Sequence, residues 1–241
     1  MELLKKLYSI NSKSGNEAQI KEFILDYISD IDVKIEYDAF GNMFITKGCA
    51  DIYPGITAHL DEVHHPTDRT IIEGEDLIYA VDSQGERVGL GADDKNGVWI
   101  ILNLLHELPL LKAILFIEEE RNGELAGCRG SRACSLDKLN NINSLLAVDR
   151  KGGSEIVVVG KGDIPLCKRS FVPQYLIEKY GYECVSGGRT DVVALKERGL
   201  TIPCCNISCG YYNAHKTDEF TKISELKNSY AFVKEWITLL K

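Results

Sequence analysis

Residues 89–105 read GLGADDKNGVWIILNLL. A glycine-broken turn leads into Asp93, Asp94 and Lys95, and a largely apolar run of helical length follows. Adjacent carboxylates usually mark a solvated turn, yet these stand at the mouth of a segment apolar enough to be a core helix. A buried helix set between short β-type runs is the pattern of an α/β sheet with helices on its faces. The stretch therefore points to the fold class and leaves a question of charge: what neutralises the acid pair there?

The same alternation extends in both directions. VKIEYDAFGNMFITKG (33–48) alternates apolar and polar residues around Gly41-Asn42 and reads as a hairpin. Residues 51–65, 111–120, 142–150, 155–160 and 200–210 read as strands. Residues 1–10, 12–31, 97–108, 172–182, 189–199 and 223–241 carry helical spacing. No repeat, low-complexity tract or long linker interrupts the 241 residues, so a single domain over 1–241 is expected.

Composition narrows the function. Apolar residues make up 44% and charged residues 27%, enough for a proper core. A formal charge of −8 with no basic block argues against a nucleic-acid or anionic-membrane partner. No apolar run reaches bilayer length, and MELLKKLYSI is too short and too charged for a signal peptide. Eight scattered cysteines without a CxxC pair read as reduced, structural thiols, which suits a cytoplasmic protein.

Acids and histidines gather where strands end: His59 and Asp61, Asp93 and Asp94, Glu118 to Glu120, Asp149, and His215. That edge of an α/β sheet is where ligands bind. Taken singly, each has an ordinary reading: a hydrogen-bonded histidine, a helix-dipole acid at Asp94, an exposed acidic loop, a turn aspartate, a loop histidine. Five segments ending alike are harder to set aside. His59 and Asp61, two apart on a strand, face the same way, so the carboxylate can hold one ring nitrogen and leave the other for a metal. Asp93, read as the deeper of its pair, can bridge two cations with its two oxygens. Of adjacent glutamates, one can coordinate and the other accept a proton from a metal-activated water, whose pKa falls to about 7 on zinc. A His/Asp/Glu/Asp/His set without sulfur suits two divalent ions, Zn²⁺ first, with Co²⁺ or Mn²⁺ as alternatives. His106 reads as structural, His64-His65 as a rim, and Lys95 as an ion-pair partner of nearby acids.

In this order, AHLDEV (58–63), GLGADDKNG (89–97), LFIEEE (115–120), LLAVD (145–149), SGGRTDVVAL (186–195) and NAH (213–215) resemble the co-catalytic zinc exopeptidases. That superfamily includes peptidase T, the glutamate carboxypeptidases, the aminoacylases and the leucine-aminopeptidase-like enzymes. The resemblance spans roughly residues 12–220. It implies a three-layer α/β/α zinc-exopeptidase (phosphorylase/hydrolase-like) fold with a mixed central sheet. His59 and Asp149 would hold one zinc, Glu120 and His215 the other, and Asp93 would bridge them. Asp61 would orient His59, Glu119 would be the general base, and the Asp93–Asp94 peptide would be cis.

Two departures stand out. RNGELAGCRGS (121–131) intervenes where the family has a short glycine turn, which leaves Glu118/Glu119 as an alternative pair. Only residues 150–186 separate Asp149 from the GGRTD segment, too few for the lid and dimerisation domain of the peptidase T branch. A bare catalytic domain is therefore expected, with Arg189 or Thr190 standing in for an oxyanion donor from a lid. Three functions remain: an exopeptidase, first of all an aminopeptidase, acting on short peptides; an N-acyl amino acid or amide hydrolase; and a metal-binding module without turnover. The oligomeric state stays open.

Overall fold

A computed structural model describes residues 1–63, 68–120 and 127–240. His64-His65 and residues 121–126 of the RNGELAGCRGS segment lie outside the described residues. In chain order the strands are β1 Val33–Tyr37, β2 Met43–Lys47, β3 Tyr53–His59, β4 Thr70–Glu73, β5 Leu77–Val81, β6 Arg87–Val88, β7 Leu111–Phe116, β8 Ile142–Arg150, β9 Glu155–Gly160, β10 Ile164–Pro165, β11 Glu183–Ser186, β12 Cys204–Ser208, β13 Tyr211–Tyr212 and β14 Phe220–Lys222. The helices are α1 Glu2–Ser9, α2 Ala18–Tyr27, α3 Ala92–Glu107, α4 Arg129–Ala133, α5 Gln174–Tyr180, α6 Asp191–Glu197 and α7 Ile223–Leu239.

Among the described residues the strands form a nine-stranded and a five-stranded sheet. The larger runs β1-β2-β7-β3-β8-β12-β9-β10, with β11 also on β9. Its centre, β7-β3-β8-β12, is parallel, while β1-β2, β2-β7 and β12-β9 are antiparallel. The sheet is therefore mixed, as expected, and the 33–48 hairpin forms its β1-β2 edge.

Both faces are covered, which is why the central strands are buried along most of their length rather than at alternate residues. Leu146 and Val148 of β8 join one core with Ile56, Ala58 and the apolar residues of α1, α3 and α7. Leu145 and Ala147, on the opposite face by the two-residue period of a strand, join a second core with Phe116, Val192, Val193 and Leu195. Three layers result. Each of the eight cysteines is a free thiol, and no described helix is long and apolar enough to cross a membrane.

The smaller sheet, β13-β14-β5-β4 with β6 on β5, was not foreseen. Its strands run from two to five residues, and β4 is nowhere fully buried. Such short, half-wet segments carry little periodic signal. The sheet nevertheless matters to function, because β6 leads into the 89–91 turn and β13-β14 bracket His215.

Glycine permits the close approach of α3 to the sheet. Gly91 has φ +72°, the left-handed region that glycine occupies freely, and a Cβ there would lie 2.0 Å from Glu62 Oε2. A Cβ on Gly97 would lie 2.4 Å from the Val148 carbonyl oxygen and 2.6 Å from both Asp94 carboxylate oxygens. Val148 is backbone, so it cannot swing aside, and α3 would have to lift away from β8. Gly97→Ala is expected to destabilise the protein by about 1–3 kcal/mol in chemical denaturation and to weaken divalent-metal binding with it. An alanine variant of parental stability would mean that this contact is not a constraint.

Candidate metal centre

Because β3, β7 and β8 are parallel, their carboxyl ends open on one edge of the sheet. His59 ends β3, Glu118 to Glu120 follow β7, and Asp149 lies at the end of β8. Asp93 arrives from the start of α3, and His215 from the segment between β13 and β14.

Asp93 stands at the middle. Its Oδ1 lies 3.1 Å from His59 Nε2 and its Oδ2 lies 3.4 Å from His215 Nε2. Each imidazole meets a second carboxylate at the same nitrogen: His59 Nε2 is 3.5 Å from Asp149 Oδ1, and His215 Nε2 contacts Glu120 Oε1. Two triads, His59/Asp93/Asp149 and Asp93/Glu120/His215, thus bring their donor atoms within 4.8 Å of one another. A ring nitrogen carries at most one proton, so it cannot serve two facing carboxylates equally. A cation can.

Asp61 ties the segments together. His59 Nδ1 lies 3.0 Å from the Asp61 carbonyl oxygen and 3.5 Å from its Oδ1. The same carboxylate accepts the Glu119 N–H on Oδ1 and the Glu120 N–H on Oδ2, both at 2.9 Å, and the Ser14 hydroxyl. Buried Asp61 therefore holds the loop after β7 as well as the histidine that ends β3. Glu118 turns away: its carboxylate pairs with Arg129, and its backbone adopts φ 55°. Of the two possible glutamate pairs, the structure brings Glu119 and Glu120 to the cavity.

One expectation is corrected. Asp94, read as a first-turn acid shallower than Asp93, is the more deeply buried, 1% exposed against 8%. Neither residue is helical, with ψ 101° at Asp93 and 38° at Asp94. The non-helical turn sends Asp94 beneath β3, where it accepts the His59 N–H at 3.2 Å and the Gly97 N–H at 3.1 Å. The Asp93–Asp94 peptide is cis, as the resemblance implies. Lys95 pairs with Glu62 at 3.1 Å, in keeping with its reading as an ion-pair partner. His106 packs edge-on against Tyr27.

Three residues escaped sequence reading. Glu219, 2% exposed, accepts the N–H groups of Leu90, Gly91 and Asp93 at 2.8, 2.7 and 3.2 Å and so fixes the turn that presents Asp93. Cys128, set aside with the other thiols, donates its S–H to Glu119 Oε1 at 3.0 Å and lines the cavity. Asp191 is buried at the start of α6, with Oδ1 lacking a partner among the described residues. Glu219 and Cys128 carry no local signal and are tied in by contacts 9 to 129 residues apart, whereas Asp191 falls within the SGGRTDVVAL stretch without being singled out there.

The centre carries more negative charge than it neutralises. Burial drives the carboxyls of Asp149, Asp191 and Glu219 up to about 7, and Glu119 and Asp94 well above the usual range. Burial would pull the His59 imidazole down, but Asp149, Asp61 and Asp93 outweigh it and hold it well above normal. Asp93 and Glu120 raise His215 to about 10. Burial opposes ionisation of Asp93, yet His215 and His59 hold it well below the ordinary carboxylate range. The cavity of about 440 Å³ also exposes Arg189 and Thr190. Arg189 lies 3.6 Å from Glu197, and Thr190 Oγ1 is buried without a partner among the described residues.

No family model matches the sequence, and no curated protein matches it. Solved structures do share the fold. The aminopeptidase PepT from Bacillus cereus ATCC 10987 superposes with a TM-score of 0.80 at 16% identity, over 98% of this chain and 96% of that one. A tripeptidase from Staphylococcus aureus subsp. aureus Mu50 gives 0.81 at 15%, over 99% and 97%. The aminopeptidase APDkam598 from the archaeon Desulfurococcus kamchatkensis gives 0.70 at 19%, over 100% and 97%. The chain thus has the α/β architecture of these peptidases, with a mixed central sheet between helices.

The raised carboxyls set a pH dependence for the metal-free protein. A carboxyl whose folded pKa lies near 7 stabilises fully below its unfolded pKa of about 4 and loses that contribution as pH rises through about 7. After chelation, the melting temperature is expected to fall from about pH 5 to about pH 8, and added Zn²⁺ should restore it most at the upper end. A metal-free protein that grows more stable over that window would contradict the charge balance described.

Proposed function

We propose that the chain is a co-catalytic metallo-exopeptidase, an aminopeptidase acting on short peptides, with residues 1–241 serving as one catalytic unit. A single observation carries the reading: the two oxygens of Asp93 face two different imidazoles, each of which meets one further carboxylate. That arrangement matches the ligand sets of a pair of ions sharing one aspartate.

The residues present fit such ions. His59 and Asp149 would hold one, Glu120 and His215 the other, and Asp93 both. The nitrogen and oxygen donors suit Zn²⁺, with Co²⁺ or Mn²⁺ as alternatives. Burial of this many carboxylates is tolerated where cations compensate them. When bound, divalent ions lower the pKa of a water and polarise a carbonyl.

The protein's own side chains supply the rest. Glu119, pushed up by burial, is basic enough to take a proton from water, and once protonated it can pass that proton to the leaving amine. The Cys128 thiol steadies Glu119 Oε1, and Asp61 steadies its backbone. The remaining acidic wall favours a free α-amino group. An N-acyl cap brings no positive charge, which places N-acyl amino acid hydrolysis second. Two aminopeptidases and a tripeptidase of similar fold support the same choice.

Glu119→Gln is expected to keep two divalent ions per chain by elemental analysis while kcat on a peptide panel falls at least about 100-fold. A variant with parental turnover would remove Glu119 from the role of base, and a parent binding metal without cleaving any peptide would favour a module without turnover.

A further inference from the structure

The backbone N–H groups of Glu118, Glu119 and Glu120 each meet a carboxylate. Asp61 accepts the last two, both at 2.9 Å. The first goes to Glu17, whose Oε1 accepts the Glu118 N–H at 3.2 Å and the Gly15 N–H at 2.8 Å. Glu17 is buried and lies 101 positions from Glu118 in the sequence. Asp61 is held in turn by the Ser14 hydroxyl, which donates to Oδ2, the oxygen that also accepts the Glu120 N–H. Both outer partners thus come from one stretch, SGNE (14–17), between α1 and α2. By composition that stretch marks only a helix start.

The stretch has anchors of its own. The Ser12 N–H donates to Glu62 Oε1 at 3.1 Å, the Glu62 N–H to the Ser12 carbonyl at 3.0 Å, and the Asn16 N–H to the Lys13 carbonyl at 2.7 Å. Glu62 is itself fixed by Arg69 at 2.9 Å and by Lys95 of α3 at 3.1 Å. The need for such support shows at Glu118. Its backbone sits at φ 55°, a left-handed conformation that a non-glycine residue keeps only where its surroundings over-determine it. That conformation sends the Glu118 carboxylate to Arg129 and leaves Glu119 and Glu120 to the cavity. Without Glu17 the turn is free to relax, and both glutamates shift with it.

We propose that Ser14 and Glu17 are positioning residues of the metal centre. Glu17 holds the turn that presents Glu119 and Glu120, and Ser14 holds the carboxylate that braces both that turn and His59. Neither is among the residues that line the cavity, so both act through others. The assignment rests on the exopeptidase reading above. It makes the segment before α2 part of the catalytic apparatus without placing any of its atoms against substrate.

The test sets removal of each contact against a conservative replacement in the zinc-supplied protein. Glu17→Gln keeps an Oε1 acceptor, whereas Glu17→Met keeps the length of the side chain without it; Ser14→Thr keeps the hydroxyl that Ser14→Ala removes. Glu17→Met and Ser14→Ala are expected to lower kcat on Leu-Gly-Gly about tenfold while KM moves less than about twofold, and to weaken Zn²⁺ binding about tenfold in calorimetric titration. Glu17→Gln and Ser14→Thr should recover most of both losses. In the metal-free protein, amide hydrogen exchange over residues 117–120 should quicken in the removal variants and return in the replacements. If Glu17→Met does not fold, Glu17→Asp, which keeps the charge but falls a methylene short, takes its place in the same assays. Removal variants with parental kcat and zinc affinity would overturn the proposal whatever their exchange, and so would replacements as impaired as the removals. A parent that binds zinc but cleaves no peptide would sink the exopeptidase reading alone, since zinc affinity would still decide whether the two residues position the centre.

Discussion

Buried negative charge is the constraint around which this protein is organised. Asp93, Glu119, Glu120 and Asp149 line one cavity, and two imidazoles stand among them. Acids so placed raise one another's proton affinity or demand a cation. Much of the surrounding structure holds them in place despite that cost. Asp61 accepts two backbone N–H groups after β7 and faces His59. Glu219 accepts three N–H groups of the turn that presents Asp93. Each of these organising residues is itself a carboxylate, because backbone N–H groups are the donors on offer where strands and helices begin and end.

The fold makes such convergence possible. Parallel strands deliver successive chain segments to the same edge, so His59, Glu119 and Asp149 meet although 60 and 90 residues separate the latter two from the first. Helix α3 must then approach the sheet closely enough to add Asp93, and Gly97 permits it, since no side chain fits between that helix and β8. The smaller sheet supplies the last piece by pinning both sides of the His215 segment. Solved peptidases sharing this fold at 15–19% identity show how loosely the architecture depends on particular core residues; volume and patterning carry it.

The chain also sets cations close to the acids of the cavity, Arg150, Lys151 and Arg189 among them. Residues that continue past the centre, Lys151 after Asp149 and Lys216 after His215, reverse the sign of the charge within two positions. Cys128 shows the opposite relation. Outside the quoted motifs, it reaches Glu119 with its thiol because its own N–H closes a turn onto the Glu119 carbonyl at 2.7 Å.

The sequence by itself determined what is periodic or covalently local. Strands β3, β7, β8 and β9 and helices α3 and α7 were legible because burial on one or both faces imposes a period. The acid-tipped strand ends were legible because charge beside apolar runs is conspicuous. Tertiary structure alone decided which acid stands where. Glu118 and Glu119 are equivalent as letters, and only a left-handed turn and Arg129 remove the former. Asp94 proved deeper than Asp93 because the first turn of α3 departs from helix geometry. Glu219 and the five short strands of the second sheet carried no readable signal, since they act through contacts across the fold, and contacts at that range have no period in the chain.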